Sequence, residues 1–310
     1  MADIVGRAIG KNYGNKVILD GLNFDLNKGE VLSIVGRSGS GKSTLLKILA
    51  GIIDDYQGEV FFDNRDIRTI DIRKRKFILM FQDAELFPHM NIYDNVAFGL
   101  KMHGKDRDFI KKETLKYLDL VSLLEHKDKY PNELSGGERQ RVSLIRRLIL
   151  KPNMLLLDEP FSALDETLRI SLRNETFKII KEHNIPTLFV SHDINEAVEV
   201  SDKMAILKDG KFIAYDSPKS IFKNPKNIST AKFIFKDNII DNYLIKKTDI
   251  DIIKGDRYKI KNKTYKGDYY SYLLEGPYQI IVDSSCEYDI GDLVDIDIKE
   301  KTKLEERWKK

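Results

Sequence analysis

The chain has 310 residues, enough for one large domain with a small one or for two domains of medium size. Apolar residues make up 42% and charged residues 33%, a balance typical of globular proteins, and no run of about 18 apolar residues predicts a membrane-spanning helix. The net charge of +3 argues against a dedicated nucleic-acid-binding protein, the N-terminal sequence does not resemble a secretory signal, and the single cysteine, Cys286, excludes an internal disulfide and is compatible with a reducing cytoplasm.

A glycine-rich loop stands between a predicted strand and a predicted helix near the N-terminus. The apolar run Val31–Val35 predicts a buried strand, and residues 44–50 predict a helix. Between them, residues 36–43 read Gly-Arg-Ser-Gly-Ser-Gly-Lys-Ser and fit the pattern G-x-x-x-x-G-K-[ST]. In such a loop the backbone N–H groups surround an anion, and the N-terminus of the helix adds a partial positive charge. The sequence therefore predicts a phosphate-binding loop.

This loop predicts the binding of ATP together with Mg²⁺. We expect Lys42 to reach the β- and γ-phosphates and the hydroxyl of Ser43 to bind Mg²⁺. The residues that we expect to contact the nucleotide in the loop and in the first turn of the helix are Gly36, Ser38, Gly39, Gly41, Lys42, Ser43 and Thr44.

Residues from about 101 to 150 have a helical and charged pattern, in which the segment 109–124 carries apolar residues at helical spacing. Farther along, residues 134–142 read Leu-Ser-Gly-Gly-Glu-Arg-Gln-Arg-Val. Ser135 followed three residues later by Glu138 forms a capping box, so a helix should begin here. Because each glycine costs about 1 kcal/mol of helix stability relative to alanine, Gly136 and Gly137 indicate that a phosphate approaches this helix start closely.

From residue 151 to 212, short apolar runs alternate with helical stretches, which is the pattern of a parallel sheet with crossover helices. One such run ends in Asp158-Glu159-Pro160. Ligands of these sheets lie beyond the carboxyl ends of the strands, so we expect Asp158 to hold Mg²⁺. Glu159 would act on the attacking water, either as a general base or by orienting it. These elements predict the α/β fold class.

After Tyr215 the pattern changes to a connector with a short helix and then to residues that favour strands. In the last of these runs, Val294, Ile296 and Ile298 alternate with charged residues, as in a half-buried strand. The sequence therefore predicts a small all-β domain at the C-terminus. The strand-forming runs are residues 258–260, 270–274, 278–282 and 293–299.

The segment 134–142 resembles the signature sequence of ATP-binding cassette (ABC) proteins, with Glu138 in place of the usual glutamine. The resemblance covers residues 4 to about 235 and implies a P-loop NTPase cassette with a helical subdomain. In this family the signature of one subunit completes the ATP site of another. The resemblance therefore implies a homodimer, in which Ser135, Gly136 and Gly137 contact the ATP that Lys42 of a second copy holds.

Further motifs follow in the order of this family. Tyr13 resembles the aromatic residue that stacks on adenine, with an ordinary core or surface tyrosine as the alternative; Gln82 resembles the glutamine that touches Mg²⁺ and the attacking water. Residues 162–165 match the loop through which two cassettes contact each other, and His192 resembles the histidine that binds the γ-phosphate. The resemblance thus implies the catalytic residues Glu159, His192 and Gln82, and the Mg²⁺ ligands Ser43, Gln82 and Asp158.

Two details favour an importer ATPase over other members of the family. Residues 85–100, with Phe87-Pro88, resemble the segment that docks on integral membrane permease subunits. The β-rich tail resembles the OB-like regulatory domain of importer ATPases for sugars, polyamines, ferric iron, sulfate or molybdate, and its role could be regulation, dimer contact or ligand sensing. The predicted domains are an ABC nucleotide-binding domain at 1–236, with a helical insertion at about 85–150, and an OB-like domain at 237–310.

The resemblance implies an ATP-hydrolysing subunit at the cytoplasmic face of the cell membrane, which works with permease subunits and indirectly with an extracytoplasmic solute-binding protein. Ferric iron is the preferred cargo, because residues 161–165 and 190–192 resemble iron-importer ATPases; sulfate, molybdate, polyamines and sugars are the alternatives. The competing function is a non-transport ABC ATPase that acts on nucleic acid or the ribosome. The sequence contains neither the heptad arrays nor the cysteine clusters of many such proteins.

Overall fold

The computed structural model describes residues 3–80, 86–161, 166–235 and 238–305, with all their side chains except that of Leu168. The backbone divides into two compact units, of which the first ends at Pro218 and the second begins at Lys219. In the described part of the chain, no helix combines the length and the hydropathy that crossing a membrane requires.

The first unit contains ten strands and seven helices among its described residues. The strands are β1 (Ile4–Tyr13), β2 (Lys16–Leu26), β3 (Val31–Val35), β4 (Gln57–Phe62), β5 (Arg65–Asp66), β6 (Phe77–Met80), β7 (Met154–Asp158), β8 (Thr187–Ser191), β9 (Lys203–Lys208) and β10 (Lys211–Asp216). The helices are α1 (Lys42–Leu49), α2 (Ile72–Arg75), α3 (Ile92–Met102), α4 (Arg107–Leu120), α5 (Gly136–Leu148), α6 (Glu166–Glu182) and α7 (Ile194–Val200). Short 3₁₀ turns occur at Ile67–Thr69, Leu124–His126 and Pro131–Glu133.

A six-stranded sheet forms the centre of the first unit, in the order β10-β9-β3-β8-β7-β6. Neighbouring strands run parallel from β9 to β6, and β10 pairs antiparallel with β9 at one edge. The five residues of β3 and the five of β8 are all buried. Strands that are covered on both faces consist of apolar runs, and this confirms the α/β fold predicted from those runs.

Both faces of this central sheet are packed against other elements. On one face, Leu32 and Leu188 contact α1 and a second, antiparallel sheet of order β2-β1-β4-β5. On the other face, Leu157 and Phe189 join a core with buried residues of α3, α4, α5 and α6. Burying a side chain of this size contributes about 1.5–3 kcal/mol, so the two cores hold the sheet and its loops in place.

The helix starts depend on side-chain caps. In α5, the backbone N–H of Glu138 donates to the hydroxyl of Ser135 at 3.3 Å, and the N–H of Ser135 donates to the Glu138 carboxylate at 2.8 Å. This reciprocal pair confirms the predicted capping box. Helix α4 begins earlier and ends earlier than the predicted 109–124, because the carboxylate of Asp106 caps its first turn and the chain leaves the helix after Leu120.

The second unit is built mainly of antiparallel strands. Its strands are β11 (Asn238–Ile240), β12 (Tyr243–Ile245), β13 (Ile250–Tyr265), β14 (Tyr270–Glu275), β15 (Gln279–Ser284), β16 (Leu293–Ile298) and β17 (Thr302–Lys303). The helices are α8 (Pro218–Lys223), which starts at the last residue of the first unit, and α9 (Ile228–Ile234), with a 3₁₀ turn at Lys247–Asp249. The strand orders are β11-β12-β17 and β15-β14-β13-β16.

The predicted strand runs of the tail are confirmed, with one difference in burial. Val294 and Ile296 point into the core of the second unit as predicted, but Ile298 is 39% exposed because it is the last residue of β16. In α9, Ala231 packs with Leu244 and Leu304. The compact units and the predicted domains therefore divide the chain at different residues, and the domain boundary at 236 remains a prediction.

Candidate functional site

Three chain segments meet at the carboxyl edge of the central sheet. In the strand register, Val35 at the end of β3 lies opposite Ser191 at the end of β8, and Asp158 at the end of β7 lies opposite Val190. The predicted phosphate loop follows β3, the predicted carboxylates end β7, and His192 follows β8. The parallel arrangement therefore brings together residues that are far apart in the sequence.

The glycines of the loop are required by the packing and the backbone of the chain itself. A Cβ atom at Gly36 would lie 2.4 Å from the carbonyl oxygen of Leu207 and 2.8 Å from the hydroxyl of Ser40. Gly39 and Gly41 have φ values of 77° and 109°, which side chains rarely adopt. Glycine is therefore required at these positions, which allows the backbone N–H groups of the loop to turn inward around an anion.

Lys42 is held inside the loop. Its side chain is buried, and its Nζ donates hydrogen bonds to the carbonyl oxygens of Gly36 at 2.8 Å and Arg37 at 3.2 Å. Burial lowers the pKa of Lys42, while the charges of Glu159 and Asp158 act in the opposite direction. A phosphate oxygen at this position would replace neutral carbonyl acceptors by a charged one, which strengthens the hydrogen bonds.

Asp158 and Ser43 contact each other across the mouth of the loop. Burial raises the pKa of Asp158, the nearby hydroxyl of Ser43 acts in the opposite direction, and the charge of Glu159 adds to the rise. No described residues form a cluster of three or more His, Cys, Asp or Glu side chains placed to hold a metal. One hydroxyl and one carboxylate nevertheless fit Mg²⁺, which takes most of its ligands from phosphates and water.

Glu159 and His192 form a second contact pair. The Nδ1 atom of His192 lies 3.1 Å from Oε2 of Glu159. The two side chains form an ion pair when the imidazole is protonated. Glu159 has a φ of 49°, which is a strained conformation for a non-glycine residue. Its backbone N–H donates to the carbonyl of Val190 at 3.0 Å, so the neighbouring strand holds this turn.

The start of α5 presents the predicted signature residues. Ser135 caps the helix, and Glu138 also lies 3.0 Å from His126. A Cβ atom at Gly136 would meet only the end of the Arg139 side chain, at 4.0 Å, whereas Gly137 is buried. Among the described residues, no hydrogen bond or ion pair joins this helix start to the phosphate loop of the same chain.

Tyr13 lies at the β1–β2 turn with its ring 53% exposed. The ammonium of Lys11 lies 5.1 Å from the ring centroid and is itself bound to Asp55. Tyr13 pairs with Lys16, the first residue of β2. Farther along β2, the carbonyl oxygen of Ile18 lies so near the loop that a Cβ atom on Gly41 would be only 2.8 Å from it. The exposed ring is therefore at the end of β1, beside the strand, β2, that packs against the loop.

Some functional residues lie outside the described residues or were missed by sequence reasoning. Gln82 and residues 162–165 lie outside the described residues.

Two serines were missed by sequence reasoning. Within the loop, the hydroxyl of Ser40 is buried and has no hydrogen-bond partner among the described residues. The buried hydroxyl of Ser191 donates to Glu196 at 2.7 Å and accepts from the N–H of Asp193 at 3.0 Å, which braces the turn that carries His192. A single sequence contains no periodic signal for such contacts, because the partners meet only in the folded chain.

Comparisons with known proteins agree with this geometry. The family model described as ABC transporter matches residues 19–162. The chain is 38% identical to the spermidine/putrescine import ATP-binding protein PotA of Mesoplasma florum, over 84% of this chain and 73% of that protein. It is 40% identical to the Fe(3+) ions import ATP-binding protein FbpC of Fusobacterium nucleatum, over 76% of this chain and 63% of that protein.

A solved structure gives the same result for the fold. The chain resembles cbiO1 from Clostridium perfringens, part of the ABC transporter complex cbiONQ, with a TM-score of 0.67 and 30% identity over 72% of this chain and 91% of that one. The predicted family, the predicted cassette fold and the predicted ATPase activity are thereby confirmed. This chain belongs to the family of ATP-binding subunits of ABC transporters and is an ATPase.

Proposed function

We propose that this chain is the ATP-hydrolysing subunit of a binding-protein-dependent importer and works at the cytoplasmic face of the membrane. The observation that carries the proposal is the meeting of the phosphate loop, the Ser43–Asp158 pair and the Glu159–His192 pair at one sheet edge. The relatives described above are import proteins by name, which favours import over the competing action on nucleic acid or the ribosome.

The nucleotide would bind along the loop. The ring of Tyr13 offers an exposed face for the adenine, and the backbone N–H groups from Gly36 to Thr44 surround the phosphates. Lys42 would transfer its hydrogen bonds from two carbonyl oxygens to phosphate oxygens. Ser43 and Asp158 would hold Mg²⁺, which neutralises charge on the β- and γ-phosphates when bound.

Hydrolysis would depend on Glu159, in the strained turn after β7, and on His192, which follows β8. Glu159 would accept a proton from the attacking water or orient it, and Nδ1 of His192 lies 3.1 Å from its carboxylate. When the γ-phosphate is bound, we expect His192 to donate to a phosphate oxygen instead. Gln82 would contact Mg²⁺ and the water.

A second copy of the chain would complete each site. We propose that Ser135, Gly136 and Gly137 of this copy close over the γ-phosphate, since a helix N-terminus attracts an anion and Gly136 leaves room for one. The test is the Glu159→Gln variant, which should bind ATP without hydrolysing it. Analytical ultracentrifugation should then show an ATP-dependent dimer; a monomer in saturating Mg–ATP, with the membrane subunits supplied, would contradict the proposal.

The docking segment would connect the ATPase to integral membrane permease subunits. Phe87 is half-buried, with its ring 4.7 Å from that of Phe98 and below the guanidinium of Arg146 at 4.9 Å, and the following Pro88 is exposed. Asn95 fixes the backbone of this segment, because its side-chain oxygen accepts from the N–H of Phe87 at 2.8 Å. A rigid edge of this kind suits a permease helix, and the permease in turn would receive solute from an extracytoplasmic binding protein.

For the cargo, we propose a multiply charged cation. The relatives above are named for spermidine/putrescine and for Fe(3+). A polyamine is therefore as good a candidate as the ferric iron preferred from the sequence. Uptake of labelled spermidine and of ferric iron should be compared in cells that carry the wild-type chain or the Glu159→Gln variant. If the Glu159→Gln variant takes up both spermidine and ferric iron as well as the wild type does, this class of cargo is excluded.

For the second unit we propose a regulatory role.

A further inference from the structure

The turn after β7 is strained and is held at both ends. Glu159 adopts a left-handed backbone conformation, which persists in a folded chain only where the surroundings enforce it. On its N-terminal side, the N–H of Glu159 donates to the carbonyl of Val190. On its C-terminal side stands Pro160, which has no N–H, so this residue can anchor the turn by a backbone hydrogen bond only through its carbonyl oxygen.

That carbonyl is anchored by a side chain of the signature helix. The Nε2 atom of Gln140, on α5, donates to the carbonyl oxygen of Pro160 at 3.0 Å, and the Gln140 side chain is 7% exposed. Because a carbonyl oxygen can only accept, the amide nitrogen and not the amide oxygen must face Pro160. This hydrogen bond joins α5 directly to the turn that carries Glu159.

The surroundings of this bond are buried and mainly apolar. The neighbouring cavity is lined mainly by apolar side chains, and its other lining residues are Met80, Leu144, Leu157, Phe161, Leu172 and Thr176. In such surroundings a lost donor is not replaced by solvent, so the Pro160 carbonyl would remain buried without its donor. The backbone of the strained turn would then lose one of its two anchors.

We propose that Gln140 is a positioning residue for hydrolysis: it holds the Glu159–Pro160 turn in the conformation that presents the Glu159 carboxylate to the attacking water. The proposal rests on the role of Glu159 in the proposed function. Gln140 lies on the same helix as Gly136 and Gly137, which would contact the ATP of the second copy. The bond therefore ties the helix that serves one ATP site to the carboxylate that serves the other.

The test replaces the donor without changing the shape of the side chain. Gln140→Met is unbranched and similar in length, and we expect it to lower kcat about tenfold, since loss of one buried hydrogen bond of ordinary strength corresponds to that factor. KM for ATP and the affinity for nucleotide should stay within about twofold of wild type, because among the described residues the hydrogen bond of Gln140 goes to Pro160 and not to the phosphate loop. Gln140→Glu places a carboxylate against the carbonyl and should lower kcat at least as much.

Thr176→Val is the matched control. Thr176 lines the same cavity, and its hydroxyl has no hydrogen-bond partner among the described residues, so this isosteric change removes no link to Pro160. Its kcat should match that of the wild type. Thermal unfolding of all the purified full-length variants establishes that each one is folded before kinetics are compared.

Three results would overturn the positioning role. The first two are an unchanged kcat in both Gln140 variants and a fall in kcat that Thr176→Val reproduces. A rise in KM without a fall in kcat would do the same. Glu159→Gln, measured in parallel, separates this proposal from the proposed function. If Glu159→Gln hydrolyses ATP at the wild-type rate, the role of Glu159 is wrong. If Glu159→Gln abolishes hydrolysis but the Gln140 variants hydrolyse ATP at the wild-type rate, only the positioning role is wrong.

Discussion

The phosphate loop and the start of α5 are both glycine-rich helix starts, but the space around their glycines differs. At Gly36 the chain's own backbone leaves no room for a side chain, since a Cβ atom would lie 2.4 Å from the carbonyl of Leu207. At Gly136 the same atom would lie in nearly open space. The first glycine is required for folding, whereas the second indicates an external contact. The difference shows that the first helix start is packed within the chain, and it supports the proposal that a partner contacts the second.

The largest effect is expected at the strained turn after β7, which carries Glu159. Glu159→Gln should lower the rate of ATP hydrolysis by about 10²–10⁴-fold, the range for loss of a general base, while nucleotide affinity is retained. The measurement combines steady-state phosphate release with nucleotide titration. Hydrolysis at the wild-type rate would remove Glu159 from the reaction.

On the loop side, Lys42→Ala should remove two charge-assisted hydrogen bonds to phosphate oxygens. Each contributes about 1.5–3 kcal/mol, so the affinity for ATP should fall by at least about a hundredfold. Isothermal titration with a non-hydrolysable ATP analogue measures this change. Lys42→Arg, which keeps the charge but has a larger head group, serves as the control for charge alone. Binding by Lys42→Ala at wild-type affinity would contradict the placement of the phosphates.

A matched pair of substitutions tests the comparison directly. Gly36→Ala should lower the free energy of unfolding by about 1–3 kcal/mol, because the new methyl group collides with the backbone of Leu207. Gly136→Ala should leave stability unchanged or raise it by up to about 1 kcal/mol, since alanine favours the helix, yet it should slow hydrolysis. Urea unfolding measures the free energy of unfolding of each variant, and ATPase assays measure its rate of hydrolysis. Equal destabilisation by both changes would show that the two helix starts do not differ.

The smallest effect is expected at the helix cap. Ser135→Ala should lower the free energy of unfolding by about 1 kcal/mol, because the N–H of Glu138 loses the hydroxyl to which it donates. Ser135→Thr keeps the capping oxygen and should restore most of the stability. If Ser135 also contacts a partner's nucleotide, Ser135→Ala should lower hydrolysis beyond what its stability explains, whereas a loss of stability alone would limit Ser135 to capping.

Much of the site could be predicted because its signals are local. The loop pattern, the capping box at Ser135 and the apolar runs of β3 and β7 are each contained in a few consecutive residues. Backbone conformation at these positions follows from the local residue types, and the structure agrees with each of them. Less local predictions were less accurate: α4 starts at a cap, Asp106, that its apolar spacing did not indicate.

What the sequence by itself determined was therefore the set of parts: a phosphate-binding loop, a capped helix with two glycines, carboxylates at the end of a strand and an α/β cassette. The tertiary structure alone decided which parts meet. The contacts of Ser43 with Asp158, of Glu159 with His192 and of Gln140 with Pro160 each join different elements. The physical reason is that strand order and helix packing result from the burial of the whole apolar core, and no short stretch of sequence contains that information.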